Sequence, residues 1–350
     1  MTEVGADLTV HRVEGNVVWA SRGYRLLCSK DAGENWQDEG SVVPGGWRAY
    51  SASSPFLRRM TRSGIWSLVL GRDGKRLCLG PKGIFRAEGE STVYRKVLRI
   101  SSGSRPLNLC LTPDGEIYWG EYFLNLRRAR SVRIFRSRDD GRSWEIAHVF
   151  PAGSICHVHR VVYDPYDASI LVCTGDRDRE VGIWKGPNGL TRLNLWLGGS
   201  QRYRTTCPIP RDSCILYGTD CPSGENFIMA LDRNSLKVEQ LQPVPGPVLY
   251  GCEVGDKVVF STMVERQHHE ATLWLGDESG FRLLAQFDTR KWHRLWRELV
   301  GYPTVILPEG KGGWPLLFAT PIGTRSHAGC LLRMDLSRNP NAPTDGEPER

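Results

Sequence analysis

The chain has 350 residues, of which 40% are hydrophobic and 24% charged, and its formal net charge is +7. This composition is ordinary for a globular protein with a sizeable core, and the positive charge favours anionic partners. No apolar run reaches the roughly 18 residues that a membrane-spanning helix needs, which excludes such a helix. The first residues, MTEVGADLTVHRVEG, lack the features of a secretory signal, so we expect a cytoplasmic protein.

The ten cysteines lie mostly inside apolar runs such as RLLCS, RLCLG and LNLCLT. Cysteines in this setting behave as small buried hydrophobic residues in a reducing compartment. None of them forms a CxxC pair, the usual sign of a zinc ribbon or a thioredoxin-like motif. We therefore expect no cofactor and no bound metal.

Strand-like runs that end in a small residue recur along the whole chain. They read VVWAS, RLCLG, EIYWG, ILVCTG, CILYG, VVFS and PLLFAT, and they follow one another at intervals of 40 to 60 residues. This is the period of four-stranded propeller blades joined by loops of variable length. The sequence therefore predicts an all-β protein with a single β-propeller over residues 1–337, with seven blades preferred and six as the alternative.

The fourth and fifth units show the four-strand pattern most clearly. Their strands are predicted in CHVHRVVYD, ASILVCTG, EVGIWKG and TRLNLWLG, and then in YRTTCPIP, CILYGTD, FIMALD and KVEQLQ. Near the end of the chain, DTRKWHRLWRELVGYP has its tryptophans and leucines at helical spacing, which predicts one short amphipathic helix. The Pro-rich tail, residues 338–350, is predicted to be disordered.

Two predicted turns share one pattern, in SKDAGENW and SRDDGRSW. In such a turn the aspartate accepts backbone N–H groups, the glycine supplies a positive φ and the tryptophan packs beneath. The pattern resembles the Asp-box, S-x-D-x-G-x-T-W, of the bacterial neuraminidase repeat, with Asn35 and Ser143 in the place of threonine. We assign a structural role to its eight residues, which are Ser29, Asp31, Gly33, Trp36, Ser137, Asp139, Gly141 and Trp144.

The chain therefore resembles Asp-box β-propeller proteins of the sialidase-like superfamily. That group includes sialidases, other glycoside hydrolases, some polysaccharide lyases and noncatalytic assembly factors. In these proteins the box lies away from the catalytic face, and the Arg-Ile-Pro motif of sialidases has no match here. The resemblance thus implies the fold, and the functional residues must be sought on other loops.

In a propeller, two kinds of loop lie on the same rim. One kind joins the fourth strand of a blade to the first strand of the next blade, and the other joins the second and third strands within a blade. Loops on a rigid scaffold are where binding groups collect. The candidate ligand-binding residues on this rim are Arg48, Arg105, Tyr122, Arg202, Tyr203, Arg204, Tyr250, Glu265, His268 and Arg325.

The candidate catalytic residues are His157, His159, Glu121 and Asp176. The two histidines alternate on a predicted strand, so their side chains lie on the same face. They could act as a base and its orienting partner, as metal ligands with a carboxylate, or as buried histidines bonded to neighbouring blades. Glu121 and Asp176 follow the ends of second strands and could act as acid, base or nucleophile on a sugar, or pair with arginines of the rim.

The sequence thus predicts a carbohydrate-active propeller that binds an anionic sugar, or a similar small molecule, in a funnel at the rim. Its activity would be that of a glycosidase or of a polysaccharide or oligosaccharide lyase. The alternative is a noncatalytic scaffold or assembly factor that binds a partner protein. No nucleic-acid-binding motif is present, so nucleic acid is a disfavoured partner.

Overall fold

The computed structural model describes residues 1–45, 51, 54–61, 63–88, 91–103, 106–222, 224–265, 269–289 and 302–337. The predicted helix after residue 288 and the tail after residue 337 lie outside these ranges. Most described residues belong to antiparallel strands, as the sequence predicts. Within the described ranges, no helix is long and apolar enough to cross a membrane.

The described strands are numbered in chain order. They are β1 (Thr2–Gly5), β2 (Thr9–Gly15), β3 (Val17–Arg22), β4 (Arg25–Ser29), β5 (Gln37–Val42), β6 (Ser67–Leu70), β7 (Arg76–Gly80), β8 (Gly83–Arg86), β9 (Val93–Arg99), β10 (Cys110–Leu111), β11 (Ile117–Gly120), β12 (Val132–Ser137), β13 (Glu145–Phe150), β14 (His157–Asp164), β15 (Ser169–Gly175), β16 (Gly182–Pro187), β17 (Asn194–Gly198), β18 (Ile209–Pro210), β19 (Cys214–Gly218), β20 (Asn226–Asp232), β21 (Val238–Val244), β22 (Val248–Val254), β23 (Lys257–Thr262), β24 (Glu270–Asp277), β25 (Gly280–Asp288), β26 (Thr304–Ile306), β27 (Glu309–Gly312), β28 (Leu316–Ile322) and β29 (Leu331–Asp335).

Strand pairing divides the described strands, β27 apart, into seven antiparallel sets of four. Set 1 is β2 to β5, set 2 is β6 to β9, set 3 is β10 to β13, set 4 is β14 to β17, set 5 is β18 to β21, set 6 is β22 to β25, and set 7 is β26, β28, β29 and β1. Parallel pairs of β27 with β2 and β22, and of β5 with β9, join sets 6, 1 and 2 into one 13-stranded sheet. Seven separate blades therefore stay a prediction.

The N-terminal strand completes the last set. β1 pairs antiparallel with β29, with Thr2 opposite Arg333, so the two ends of the described chain share one sheet. The first box turn braces this junction: Trp36 Nε1 donates to the Val4 carbonyl at 3.1 Å, and Arg333 Nη1 donates to the Ala32 carbonyl at 3.1 Å. The first and last segments of the ring thus hold each other.

A short helix, α1 (Pro55–Thr61), interrupts the strand pattern between sets 1 and 2. Ser54 precedes it and accepts from the Leu57 backbone N–H at 3.4 Å, and proline at the first helical position has a suitable φ. The sequence analysis did not predict this helix, because seven residues are too short to show helical periodicity. Two turns of 3₁₀ helix, Asp178–Glu180 and Gln201–Tyr203, lie in loops of sets 4 and 5.

Apolar clusters fill the spaces between neighbouring sets. One cluster joins Tyr118 and Val132 of set 3 to Val158 and Val172 of set 4, all essentially buried. Burying apolar surface at about 25 cal/mol per Å² is the dominant stabilising term for such packing. Nine of the ten cysteines are buried and all ten are free thiols, in agreement with the sequence prediction.

The small residues that end the second strands have a packing role. A Cβ on Gly120 would lie 2.4 Å from Val158 Cγ1, and one on Gly218 would lie 2.3 Å from Val248 Cβ. Each glycine therefore lets the first strand of the next set approach closely. At Gly120 and Gly218 the recurring small residue marks the point of contact between consecutive sets.

The two box turns lie between the third and fourth strands of sets 1 and 3. In the second, Asp139 Oδ1 accepts from Ser137 Oγ at 2.8 Å and from the Ser143 N–H at 2.8 Å, while the Gly141 N–H donates to Ser137 Oγ at 2.8 Å. Gly141 has a φ of +83°, and the Trp144 indole donates to its carbonyl at 3.1 Å. The first turn repeats the serine and aspartate contacts around Asp31, whereas its Trp36 indole donates to the Val4 carbonyl. Both are local hydrogen-bond locks.

Replacing Asp139 tests this structural role. Asp139→Ala removes the acceptor of the turn, and we expect the free energy of unfolding to fall by about 1–2 kcal/mol, as for loss of a helix cap. Urea denaturation measures the change. Asp212→Ala, in the exposed turn between β18 and β19, is the control and should stay within about 0.5 kcal/mol of the parent. An unchanged free energy of unfolding in Asp139→Ala would contradict the structural role of this turn.

Candidate functional site

Loops of sets 4 and 5 bring five polar side chains together at one rim. β14 begins at His157, and the pairing of His157 with Gly175 puts Asp176 beside it at the end of β15. The 3₁₀ turn Gln201–Tyr203 positions Arg204, and Asp220 follows the end of β19. We call His157, His159, Asp176, Arg204 and Asp220 the rim cluster.

Three atoms at the centre of the rim cluster lie close together. His157 Nε2 and His159 Nε2 are 3.1 Å apart, and they lie 3.6 and 3.5 Å from Asp176 Oδ1, respectively. Arg204 links the two carboxylates: its Nη2 lies 3.4 Å from Asp176 Oδ1 and its Nε lies 3.2 Å from Asp220 Oδ2. The sequence-predicted residues His157, His159, Asp176 and Arg204 are therefore neighbours.

Burial differs sharply within the rim cluster. His157 is 7% exposed and His159 is 2% exposed, whereas the Asp176 side chain is 29% exposed. Arg204 and Asp220 are mostly buried as well. Asp176 is therefore the most accessible side chain of the rim cluster.

The pKa values of the two carboxyl groups shift in opposite directions. Burial raises the pKa of Asp220, and the nearby Asp176 adds to this effect against Arg204 and His159. Burial would also raise the pKa of Asp176, but the hydrogen bond from His159 and the charges of His157, His159 and Arg204 outweigh it and lower this pKa. Arg204 supplies the positive charge that persists at neutral pH, because burial lowers the pKa of His157 to about 4.

The backbone of Asp176 is strained. Its φ is +146°, a region that residues other than glycine rarely adopt. Such a conformation costs of the order of 1–3 kcal/mol and persists only where the surroundings impose it. Here the strained residue is also the accessible carboxylate of the rim cluster, a combination that is typical of functional sites.

The loop after β11 fixes the His157 imidazole. His157 Nδ1 lies 3.2 Å from the Phe123 carbonyl, and the ring centroids of His157 and Tyr122 are 4.1 Å apart. A carbonyl can only accept, so Nδ1 carries the proton and Nε2 presents a lone pair toward His159 and Asp176. Tyr122, a predicted ligand-binding residue, thus forms one wall of the rim cluster.

Glu121 does not join the rim cluster. Its carboxylate is buried and accepts from Arg133 Nε at 3.0 Å, from Arg133 Nη2 at 2.7 Å and from the Arg133 N–H at 3.0 Å. All of these contacts stay within set 3. The geometry gives Glu121 a structural contact, although the sequence analysis proposed it as a catalytic residue.

The other predicted ligand-binding residues are dispersed. Arg202 Nη2 donates to the Val238 carbonyl at 2.7 Å, and Tyr250 packs against the apolar cluster of sets 6 and 7. Arg325 is exposed in the loop after β28, and Glu265 follows β23. Tyr203 lies in the 3₁₀ turn before Arg204. Arg48, Arg105 and His268 lie outside the described residues.

Two members of this neighbourhood, Asp220 and Cys156, are absent from the candidate residues chosen from the sequence, although Asp220 lies on a predicted rim loop. Asp220 follows CILYG as Asp176 follows ILVCTG, so the recurrence of Asp after equivalent strands was the available signal. Cys156 immediately precedes the two histidines, and its sulfur and the ligating atoms of His157 and Asp176 lie within 4.8 Å of one another. Nothing in the spacing of CHVH alone distinguished this cysteine from the other buried ones.

No protein-family model and no curated protein sequence matches the chain. Solved structures do: YCF48 bound to D1 peptide is similar with a TM-score of 0.57, at 12% identity over 97% of this chain and 96% of that one. An ancestral GH74 enzyme gives a TM-score of 0.57 at 16% identity, over 92% of this chain and 46% of that one. A chain of the mitotic checkpoint complex gives 0.56 at 9% identity, over 96% and 91%.

These similarities establish the fold and nothing finer. Together with the four-stranded sheets, they identify the protein as an all-β β-propeller. The chain spans about half the length of the GH74 enzyme that it matches. Propellers host many unrelated functions, so the function has to be argued from the rim cluster.

The strain at Asp176 predicts an unusual order of stabilities. Asp176→Gly and Asp176→Ala remove the same carboxylate, but only glycine relieves the φ of +146°, so Asp176→Gly should be the more stable variant by about 1 kcal/mol or more. At Asp178, in the neighbouring 3₁₀ turn, the control pair should show the opposite order, because glycine costs backbone entropy there. Thermal denaturation ranks all four variants; a less stable Asp176→Gly would contradict the strain.

The pairing of Glu121 with Arg133 yields a second test. Glu121→Gln weakens three hydrogen bonds in a buried position, and we expect the free energy of unfolding to fall by about 1–3 kcal/mol. In an Arg133→Met background the same substitution should cost less, because its partner is gone. A double-mutant cycle by urea denaturation measures the difference. Equal costs in both backgrounds would remove the structural assignment.

Proposed function

We propose that the protein is a carbohydrate-active β-propeller that binds an anionic sugar, or a small molecule of similar chemistry, at the rim cluster and hydrolyses a glycosidic bond. One observation carries this proposal: Arg204 bridges two carboxyl groups whose pKa values shift in opposite directions. When the pKa values of two neighbouring carboxyl groups shift in opposite directions, one group is ionised and the other can donate a proton. Glycoside hydrolysis needs that division.

The roles follow from charge and exposure. Asp220 supplies the proton to the leaving oxygen, because its raised pKa favours the protonated form. Asp176 is ionised and accessible, and we assign it the activation of water as general base. His157 and His159 hold Asp176 in place. β-Elimination is the alternative reaction, with the unprotonated Nε2 of His157 as the base.

The preference for an anionic ligand rests on the surrounding loops. Arg204 already has a carboxylate on each side, so its charge is matched inside the rim cluster. Arg127 and Arg177 are exposed on the loops that follow β11 and β15. Guanidinium groups of this kind bind carboxylates and phosphates through paired hydrogen bonds. They would meet the acidic group of the sugar at the mouth of the site.

A noncatalytic scaffold is the second candidate. Leu124 is 78% exposed and Leu126 is 62% exposed, both on the loop that also carries Tyr122. Paired exposed leucines favour contact with an apolar segment of a partner protein. The similarity to YCF48, solved with a bound D1 peptide, is compatible with this candidate.

A ligand panel with matched variants tests the proposal. Uronic acid oligosaccharides, sialosides and sugar phosphates are titrated by calorimetry, and hydrolysis is followed by the release of reducing ends. We expect Asp176→Asn to lower turnover by about 100-fold or more, while Asp178→Asn, an exposed neighbour, changes it little. Arg204→Ala should lower turnover as well, and Arg204→Lys should not restore it, because one ammonium cannot bridge both carboxylates.

Two outcomes would count against the enzyme. Full turnover in Asp176→Asn would remove the rim cluster from the reaction. If no panel member binds, and Leu124→Ser abolishes association with a partner protein, the scaffold function replaces it. An ultraviolet-absorbing unsaturated product would instead assign elimination.

A further inference from the structure

We propose that His157 Nε2, His159 Nε2 and Asp176 Oδ1 bind one divalent transition-metal ion, with Zn²⁺ as the best fit. The proposal concerns the same rim cluster and rests on the proposed function only for what the ion does there. It departs from the sequence-based expectation that no metal is bound. The site combines two imidazoles with one carboxylate, a donor set that suits zinc and other first-row ions.

The three donor atoms form a triangle of the right size. Its sides are 3.1, 3.5 and 3.6 Å. A point equidistant from its corners lies about 2.0 Å from each of them, and Zn–N and Zn–O bonds are about 2.0–2.2 Å long. An ion slightly above the plane of the triangle therefore reaches all three atoms without movement of the backbone. An ordinary hydrogen-bonded cluster has no need for such equal spacing.

The imidazoles are also oriented for a shared ion. Their ring centroids lie 5.0 Å apart, and two imidazoles that bind one ion at about 2 Å place their centroids at about this distance. The Phe123 carbonyl holds the proton of His157 on Nδ1, which leaves Nε2 free to ligate. A backbone acceptor on the second nitrogen is the usual support for a metal-bound histidine. This support applies to His157 alone, because His159 Nδ1 is buried and has no hydrogen-bond partner among the described residues.

The ion would leave positions open toward the rim. The histidines are buried beneath it, while the Asp176 side chain is partly exposed, so solvent or a ligand can complete the coordination. Arg204 approaches the same Asp176 oxygen at 3.4 Å, and an ionised carboxylate has enough lone pairs to serve both. Three protein ligands with an open position are typical of catalytic zinc.

A bound ion would supply a positive charge that the side chains of the rim cluster do not offer to a ligand. The Arg204 charge is matched by two carboxylates, so the rim cluster itself offers no unmatched positive charge to an acidic sugar. A bound Zn²⁺ supplies that charge, and it lowers the pKa of a coordinated water. Water activation then belongs to the ion that Asp176 holds, and Asp220 keeps its role as proton donor.

Metal binding is measured on the full chain without any sugar. The protein is stripped with a chelator and titrated with Zn²⁺ by calorimetry, and Co²⁺ is added separately to record visible absorption bands. We expect one ion per chain and a melting temperature that rises with the Zn²⁺ concentration. His159→Gln and Asp176→Asn should each weaken Zn²⁺ binding by at least about 100-fold. His148→Gln, on β13 outside the rim cluster, is the matched control and should bind as the parent does.

A Cys156 variant distinguishes this ligand set from the alternative set in which Cys156 is a ligand. Its sulfur lies within 4.8 Å of ligating atoms of His157 and Asp176, but the triangle is complete without it, so Cys156→Ser should keep the ion. Loss of Zn²⁺ in Cys156→Ser but not in His159→Gln would overturn the assignment. Absence of stoichiometric binding by the parent, with no rise in melting temperature, would overturn the site altogether. If His159→Gln fails to fold, Asp176→Asn decides, because its side chain is partly exposed.

The outcomes of this test and of the function test are separable. Zn²⁺ binding without any sugar binding supports the metal site and contradicts the proposed function. Sugar cleavage that persists in chelator, with no Zn²⁺ bound, supports the function and overturns the metal site.

Discussion

The pairing of β1 with β29 is the contact on which the other features of this molecule depend. Without the N-terminal strand, set 7 would end at β29 and expose a row of unpaired backbone N–H and C=O groups. The pairing also fixes the distance between sets 7 and 1, and the Trp36 and Arg333 contacts hold it from the side. Consecutive sets elsewhere in the chain also pack closely, as the approach of Val158 to Gly120 shows.

Close packing between the sets holds the side chains of the rim cluster in place. Four of its five polar side chains are mostly buried and Asp176 is partly exposed, and the backbone of Asp176 stays at a φ that costs free energy. The environment then acts on each group differently: burial lowers the pKa of His157 and raises the pKa of Asp220, while the hydrogen bond from His159 and the charge of Arg204 lower the pKa of Asp176. The chemistry of the site is thus a consequence of packing between sets 4 and 5.

The two box turns have a structural role, whereas the rim cluster is the candidate functional site. The turns satisfy their own hydrogen bonds locally and hold the outer strands of sets 1 and 3. The rim cluster draws its members from β14, β15 and the loops before β18 and after β19, so it depends on contacts between strands that are distant in sequence. A resemblance in the turns therefore indicates the scaffold and carries no information about the ligand.

The sequence by itself determined the features that short-range physics controls. Alternating apolar runs gave the strands, the spacing of small residues predicted the repeat, and Ser, Asp, Gly and Trp predicted both turns. It also placed His157 and His159 on one face, because side chains alternate along a strand. Tertiary structure alone decided that β1 closes the ring, that Glu121 turns inward to Arg133, and that Asp220 reaches Arg204. The physical reason is that a carboxylate at the end of a strand can pair within its own set or across to the next, and packing between sets makes that choice.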